Sequence, residues 1–229
     1  MQLLQTAFVV LLVGVLAASV ISVAIMALLQ IGRTRRLARQ AESLGLRFAS
    51  EDPFDAPRRY ADFALITNGH SPRASNVTYG RLDGRMVRAF DFRYEVGHGT
   101  RRVTRHYGVV VVESERELGN VLMWHDSDDE FAPLAVRGEQ HAGVWGVWGD
   151  VALVERLAEV IAPRGGLPVS MQCCGGTLML FAPERRRRGG YAARLEDAVA
   201  VMDVLDCLPP HDGTPAQATD DGAFPPAER

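Results

Sequence analysis

An acidic stretch in the second half of the chain offers the densest set of possible metal ligands. It consists of His125, Asp126, Asp128, Asp129 and Glu130. Carboxylate oxygens of this kind bind hard cations such as Ca²⁺ and Mg²⁺. However, the stretch lacks the central glycine and the closing glutamate that a calcium-binding EF-hand loop requires. The spacing therefore favours a solvated acidic loop over a cation site.

Three cysteines could supply thiolate ligands. Cys173 and Cys174 are adjacent and lack the two-residue gap that lets two thiolates face one zinc ion. We expect them to alternate across a strand, one buried and one outward. A zinc site completed by His141 or Cys207 is the weaker alternative. An odd number of cysteines, two of them adjacent, gives no disulfide framework. This cysteine content fits a reducing compartment.

Nucleophilic catalysis needs a serine or cysteine, a histidine and an orienting carboxylate. The chain has no Gly-x-Ser-x-Gly elbow, no His-Glu-x-x-His pair and no glycine-rich phosphate loop. His98 lies between Gly97 and Gly99, but a hairpin turn favours the same glycines. All 25 basic residues are arginine, so the chain cannot use a Schiff-base or phosphate-loop lysine. The sequence thus predicts no catalytic residue, no metal site and no cofactor.

A run of four arginines, Arg185 to Arg188, lies between a predicted strand and the last predicted helix. It could contact an anion or a membrane, but four charges in a loop are usually just solvated. The net charge of the whole chain is −3. A charge so close to neutral gives no sign of a nucleic-acid partner.

The element that would position everything else is an apolar segment at the N terminus. No charged residue precedes Arg33, and Leu3 to Ile31 is almost wholly apolar. Since about 20 apolar residues cross the hydrocarbon core, we predict a transmembrane helix over residues 1–32. A cleaved signal peptide is the alternative, with Ser22-Val23-Ala24 as a cleavage-like site, but the apolar run continues past it.

The segment that follows, residues 33–46, is predicted to be a basic juxtamembrane helix that ends at Gly45. Its basic residues are Arg33, Arg35, Arg36 and Arg39. The positive-inside bias places this flank in the cytoplasm and the span in the inner membrane. We expect the four arginines to contact anionic lipid at the membrane surface, at about 1 kcal/mol each.

Small residues recur every fourth position within the span, at Gly14, Ala18 and Ser22. This pattern lets two membrane helices approach closely, so it predicts a possible homodimer. The alternative is that alanine and glycine are simply abundant in the chain.

Residues 47–208 are predicted to form one soluble α+β domain of mostly antiparallel sheet with packed helices. One hairpin is expected around Asp83-Gly84 and another around Gly175-Gly176. Val109 to Val112 should be buried on both faces of the sheet. Further predictions are a helix over Phe54–Ile66, a loop over Asn68–Pro72, an edge or bulged strand over Val144–Gly149, a helix from Asp150, a last helix carrying Tyr191 to Leu205, and a disordered tail over residues 209–229.

Three stretches resemble a group of uncharacterised bacterial single-pass membrane-anchored proteins with a strand-rich domain of unknown function. They are Ala41–Phe48, Asn76–Gly80 and Val87–Tyr94, with Trp148-Gly149-Asp150 as a looser match. The resemblance covers residues 1–115 and implies the same architecture. It implies no catalytic residues, because the group has none to carry over.

From these observations we expect a membrane-tethered binding or scaffold module without catalytic activity. Its expected partners are the lipid bilayer and an unidentified protein. An envelope-associated enzyme and a lipid or small-ligand sensor are the alternatives. A cleft of titratable groups with shifted pKa values would favour the enzyme, and a large apolar pocket would favour the sensor. An exposed apolar patch without a pocket would favour the scaffold.

Overall fold

The computed structural model describes residues 2–117, 119–125, 141–142, 145–149, 153–155, 157, 169–183 and 190–207. These residues form an α+β structure with one large antiparallel sheet and one N-terminal apolar helix. To that extent the predicted fold class is confirmed. The acidic residues 126–130, the arginine run 185–188 and the predicted tail 209–229 lie outside the described residues.

Among the described residues, nine strands make up the sheet. They are β1 (Arg47–Glu51), β2 (His70–Leu82), β3 (Arg85–Val96), β4 (Val103–Glu113), β5 (Val121–His125), β6 (His141–Ala142), β7 (Trp145–Gly149), β8 (Ser170–Cys174) and β9 (Thr177–Pro183). Their order is β1-β2-β3-β4-β9-β8-β5-β7-β6, and the described pairings are antiparallel. The α-helices are α1 (Gln2–Ser43), α2 (Ala56–Arg59), α3 (Ala64–Thr67) and α4 (Gly190–Cys207). Residues 153–155 and 157 are also helical.

Helix α1 is one continuous helix of 42 residues, which corresponds to a length of about 63 Å. It therefore joins the predicted membrane segment to the predicted juxtamembrane helix without a break. Gly45 follows it with a φ of 70°, and the N–H of Leu46 donates to the carbonyl of Ala41 at 2.9 Å. This is the glycine-dependent helix end that the sequence predicts.

Both predicted hairpins are present. Asp83 and Gly84 connect β2 to β3 with φ values of 49° and 82°, as a tight turn between twisted strands requires. Gly175, with a φ of 56°, begins the turn between β8 and β9. Val109 to Val112 in β4 expose at most 1% of their surface, which confirms burial on both faces.

The two faces of the sheet bury different side chains because successive residues of a strand point to opposite sides. One face is aliphatic, with Val87, Ala89, Val110 and Val112 at its centre, and it packs against α4 and the end of α1. The other face is aromatic, with Phe90, Phe92, Tyr94, Trp124 and Phe181, and it packs against the segment that holds α2 and α3. Both faces are thus covered, as two layers around one sheet.

The segment over Phe54–Ile66 differs from the predicted single helix. The structure has two four-residue helices, α2 and α3, with Tyr60 and Phe63 buried between and beside them. Gln172, buried on β8, accepts a hydrogen bond from the N–H of Ala64 at 2.8 Å. A side chain of the sheet therefore accepts the hydrogen bond of the first amide of α3. Because of this, α3 begins as a separate helix and does not continue α2.

Strand β2 begins at His70, inside the segment predicted as a loop. Its ladder to β3 is interrupted between His70 and Arg73, and β1 pairs with it only from Ser75 onward. Pro72 lacks an N–H, but at this place it breaks no ladder bond.

Two further strands differ from prediction. β1 was not predicted, since Phe48 is its one large apolar side chain. β7 pairs along its whole length with β5, and its other side is partly covered by β6, so it lies next to the sheet edge.

Candidate functional site

The junction between α1 and the sheet is held by an ion pair. Arg33, two residues after the apolar run, donates from its guanidinium to Asp91 Oδ2 on β3 at 3.0 Å. Asn76 on β2 donates its amide to the same oxygen at 2.8 Å. Asn76 itself lies at an irregularity of β2 with a φ of 51°. One carboxylate of the sheet thus binds both the helix and the neighbouring strand.

A hydrophobic stripe on the same side of α1 continues the contact. Ala41 is 2% exposed, and Leu37 and Leu44 pack against the aliphatic core. Leu46 lies over Gly80 of β2, where an added Cβ would come within 2.8 Å of the Leu46 side chain. The last turns of α1 are therefore part of the folded domain and not a linker.

The four predicted lipid-contact arginines do not share one environment. Arg33 is directed at the sheet through Asp91. Arg35, Arg36 and Arg39 are exposed, and the latter two border an open groove along α1 together with Gly32, Gln40 and Ser43. Contact of these arginines with a membrane stays a prediction.

The apolar part of α1 makes no contact with the rest of the described chain that would bury it. Its large side chains between Leu11 and Ile31 are 48–71% exposed. Within Leu11–Ser43, the most apolar 18-residue window has a mean hydropathy of 2.7. Ser19 and Ser22 donate their hydroxyls to carbonyls of the preceding turn at 2.9 and 2.8 Å. By length and composition, this helix could span a membrane.

The small residues Gly14, Ala18 and Ser22 are exposed on this helix. A Cβ added at Gly14 would meet nothing within 4 Å. Homodimer formation through this stripe stays a prediction.

A cluster of charged groups surrounds the buried Arg88 on the aromatic side of the sheet. Arg88, which is 6% exposed, binds Glu113 Oε1 of the neighbouring strand β4 and donates to the Tyr60 hydroxyl at 2.9 Å. Arg59 donates to the same Glu113 oxygen at 3.1 Å. The guanidinium of Arg88 also lies 5.1 Å from the centre of the Phe54 ring. We call these five residues the Arg88 cluster.

The Arg88 cluster is suited to holding α2 on the sheet. Burial raises the pKa of Tyr60 above its ordinary value, with the nearby Arg88 charge opposing the shift. The phenol therefore stays protonated at neutral pH and acts as a hydrogen-bond donor and acceptor. The hydrogen bond that Arg59 donates to Glu113 raises the pKa of Arg59, so that guanidinium stays charged.

The adjacent cysteines alternate across β8, as predicted. Cys173 is buried and Cys174 is partly exposed. Burial raises the pKa of Cys173 to about 12 and also raises the pKa of Cys174. Both thiols are thus poor sources of thiolate at neutral pH. Among the described residues no group of three acidic, histidine or cysteine side chains could hold a metal, and the side chains of His141 and Cys207 lie outside that set.

His98 lies in the turn between β3 and β4. Its ring stacks on that of His70 with centroids 5.5 Å apart. Gly97 has a φ of 81°, and an added Cβ would lie 2.7 Å from the carbonyl oxygen of Arg101. The turn therefore needs its first glycine for its own geometry. This supports the structural interpretation of the glycines around His98.

Sequence reasoning missed the polar partners that the sheet provides. Asp91 and Asn76 fasten α1, and Glu113 neutralises Arg88. One signal was available, because Arg88 interrupts the apolar alternation that continues through Phe90. A charged side chain at a strand position that points to a buried face requires a partner of opposite charge or a hydrogen-bond partner.

Comparisons with known proteins bear on the fold. No protein-family model matches the chain, and no curated protein matches it. Among solved structures, the chain is similar to the crystal structure of the mycobacterial trehalose monomycolate transport factor A, TtfA, with a TM-score of 0.50 and 17% sequence identity. The similarity covers 78% of this chain and 97% of TtfA. At this identity the comparison shows a shared fold.

Proposed function

We propose that this chain is a membrane-anchored binding or scaffold module of the cell envelope. Helix α1 crosses the inner membrane, and the α+β domain lies on its cytoplasmic side. The domain acts by holding a protein partner near the bilayer and not by catalysis.

The continuity of α1 carries this proposal. The exposed apolar part of α1 continues without a break into the last turns of the same helix, and the apolar side chains of those turns belong to the core of the domain. The Arg33–Asp91 ion pair fastens it where the apolar run ends. A partner bound to such a domain is held at a set distance and orientation from the membrane. The arginines that follow the span support the cytoplasmic orientation.

The comparison supports an envelope role. TtfA is described as a transport factor for trehalose monomycolate, and the shared fold suggests that this chain also assists the transport of an envelope component. Burial raises the pKa of the Cys173 thiol to about 12, so this thiol is a poor candidate for a catalytic nucleophile. The cavity beside Phe181 and Arg194, of only about 10 Å³, is too small for a lipid ligand.

Anchorage and topology are tested on the full chain in cells. We expect the protein to stay with membranes after alkaline carbonate extraction. Protease should digest the domain in inverted vesicles but not in intact spheroplasts. The double substitution Val15→Arg and Val20→Arg should release the chain to the soluble fraction, whereas Val15→Leu with Val20→Leu should not. A mature protein that begins after Ala24, or digestion in intact spheroplasts, would refute the topology.

The importance of rigid coupling is tested by complementation of a deletion strain, read by growth and envelope-lipid composition. A six-residue Gly-Ser insertion between Gly32 and Arg33 should abolish complementation while the protein stays in the membrane. The same insertion between Asp83 and Gly84, in an exposed hairpin turn, is the matched control. Full activity of the first insertion would overturn the proposed coupling.

The absence of catalysis has its own test. His98→Ala and Tyr60→Phe should both complement the deletion, since neither side chain has a chemical role in the proposal. Loss of complementation by a folded His98→Ala protein would favour the enzyme alternative.

A further inference from the structure

The end of the sheet that holds the β3–β4 turn is strongly basic. Its cationic side chains are Arg73 on β2, Arg93 on β3, Arg101 and Arg102 in the turn, and Arg105 on β4, accompanied by His70, His98 and His106. We call this surface the basic end. Among the described residues Glu95 is its one carboxylate, and Arg102 and His70 already lie 3.1 and 3.8 Å from it. Five arginines against one glutamate give the basic end a formal charge of +4 with neutral histidines.

The strand register places like charges directly opposite one another. Arg73 pairs with Arg93, and Arg93 pairs with His106 on the next strand. Residues that face each other across antiparallel strands point to the same side, and like charges there are destabilising. All three side chains are exposed, and no described carboxylate forms an ion pair with Arg73 or Arg93. An external anion bound between these side chains offsets the repulsion.

The direction of α1 shows what this surface faces. The end of α1 lies near Gly80, because Leu46 covers that residue, and Gly80 pairs with Val87 of β3. Arg33 lies near Asp91, which is about 13 Å further along β3. From Ala41 back to Arg33 the helix covers a similar distance of about 12 Å. The direction along α1 toward the apolar span is therefore the same as the direction along β3 toward Val96 and the basic end.

The lengths then bring the basic end to the bilayer surface. The apolar run from Leu3 to Ile31 is about 43 Å long as a helix, which is about 13 Å longer than the hydrocarbon core of roughly 30 Å. With Leu3 at the far boundary of the core, Arg33 and its partner Asp91 lie about 16 Å outside the core on the other side. The strand continues about 16 Å beyond Asp91 in the direction of the membrane.

An exposed apolar side chain lies within the same surface. Val103, at the start of β4, is 50% exposed, and outside α1 it is the one large apolar side chain so exposed in the described part of the chain. Positive charges around a single apolar side chain suit the headgroup layer, which offers phosphates and the beginning of the acyl region.

We infer that the basic end docks on anionic lipid headgroups of the membrane that α1 crosses. The inference rests on the proposed anchorage by α1 and adds a second contact, which holds the sheet upright against the bilayer. Phosphates of the lipids separate the opposed charges of Arg73 and Arg93. Docking weakens with salt, since exposed charges are screened over about 8 Å at physiological ionic strength.

The test uses the full chain in nanodiscs of phosphatidylcholine alone or with phosphatidylglycerol, and amide hydrogen exchange as the readout. We expect residues 97–106 to exchange more slowly in the anionic discs, and the difference to disappear in high salt. The triple substitution Arg73→Gln, Arg93→Gln and Arg101→Gln should weaken the docking equilibrium about 100-fold, at about fivefold for each arginine. Exchange should then match that in neutral discs.

The matched control replaces exposed arginines away from the basic end, with Arg47→Gln, Arg58→Gln and Arg81→Gln. It should keep the full effect of anionic lipid. Amides of Val109–Val112 report in the same experiment whether each variant is folded, and Arg93→Gln alone replaces a triple variant that unfolds.

Equal exchange of residues 97–106 in both disc types would overturn the inference, as would equal loss of protection in the control variant. Failure of the chain to enter any disc would instead refute the anchorage on which the inference rests.

Discussion

Replacing Glu113 by glutamine leaves the buried guanidinium of Arg88 without its carboxylate. Arg88 has 7% of its side chain exposed, and its Nε has no hydrogen-bond partner among the described residues. Removing one partner of a fully buried pair costs about 3–5 kcal/mol. Glu113 is 24% exposed, so water screens part of the charge, and we expect a loss of about 2–3 kcal/mol.

The assay is urea unfolding of the detergent-solubilised full chain, followed by tryptophan fluorescence. In a thermal melt followed by the same fluorescence, a loss of that size should lower the melting temperature by roughly 5–10 °C in a domain of this length. Glu51→Gln removes an exposed carboxylate of β1 that forms no ion pair with another described residue, and it should change stability by less than about 0.5 kcal/mol. It is the matched control.

The double substitution Arg88→Met and Glu113→Gln removes both charges together. It should be more stable than Glu113→Gln alone and within about 1 kcal/mol of the native protein, because no unpaired charge remains buried. If the double variant instead loses as much as the two single variants added together, the charges act independently. The account of the Arg88 cluster as a coupled unit is then wrong.

Three further outcomes follow from buried positions. Gly146→Ala should cost about 1–3 kcal/mol in urea unfolding, because its Cβ would lie 2.1 Å from the Trp124 ring. Gln172→Leu should cost a similar ~1–3 kcal/mol and speed hydrogen exchange at Ala64, whose N–H loses its acceptor. Cys173 should resist alkylation in the native state and react in denaturant, as mass spectrometry of the labelled peptides can show. Its pKa rises from 9.0 to about 12 on folding, so stability should fall as the pH increases through that interval and be unaffected by this thiol below it.

Elements with strong local signals were predictable from the sequence. The apolar run before Arg33 predicts the helix, and Asp83-Gly84 and Gly175-Gly176 predict the turns, because positive φ values favour these residues. The four valines that end β4 predict burial on both faces. In each case the determining contact lies within a few residues along the chain.

Elements whose partners are distant in sequence were not predictable. β1 exists because β2 offers it an edge, and α3 is separate from α2 because Gln172 reaches it from β8. The Arg33–Asp91 pair joins residues 58 positions apart. No local sequence pattern predicts the strand register that places Arg73 opposite Arg93.

The position of β4 has a consequence for how the chain must be made. Its partners are β3, which precedes it directly, and β9, which begins 64 residues after β4 ends at Glu113. Until β9 has been synthesised, the four valines of β4 present an open apolar edge that can recruit other chains. A protein shortened before Thr177 should therefore aggregate, even though every residue of the first four strands is present.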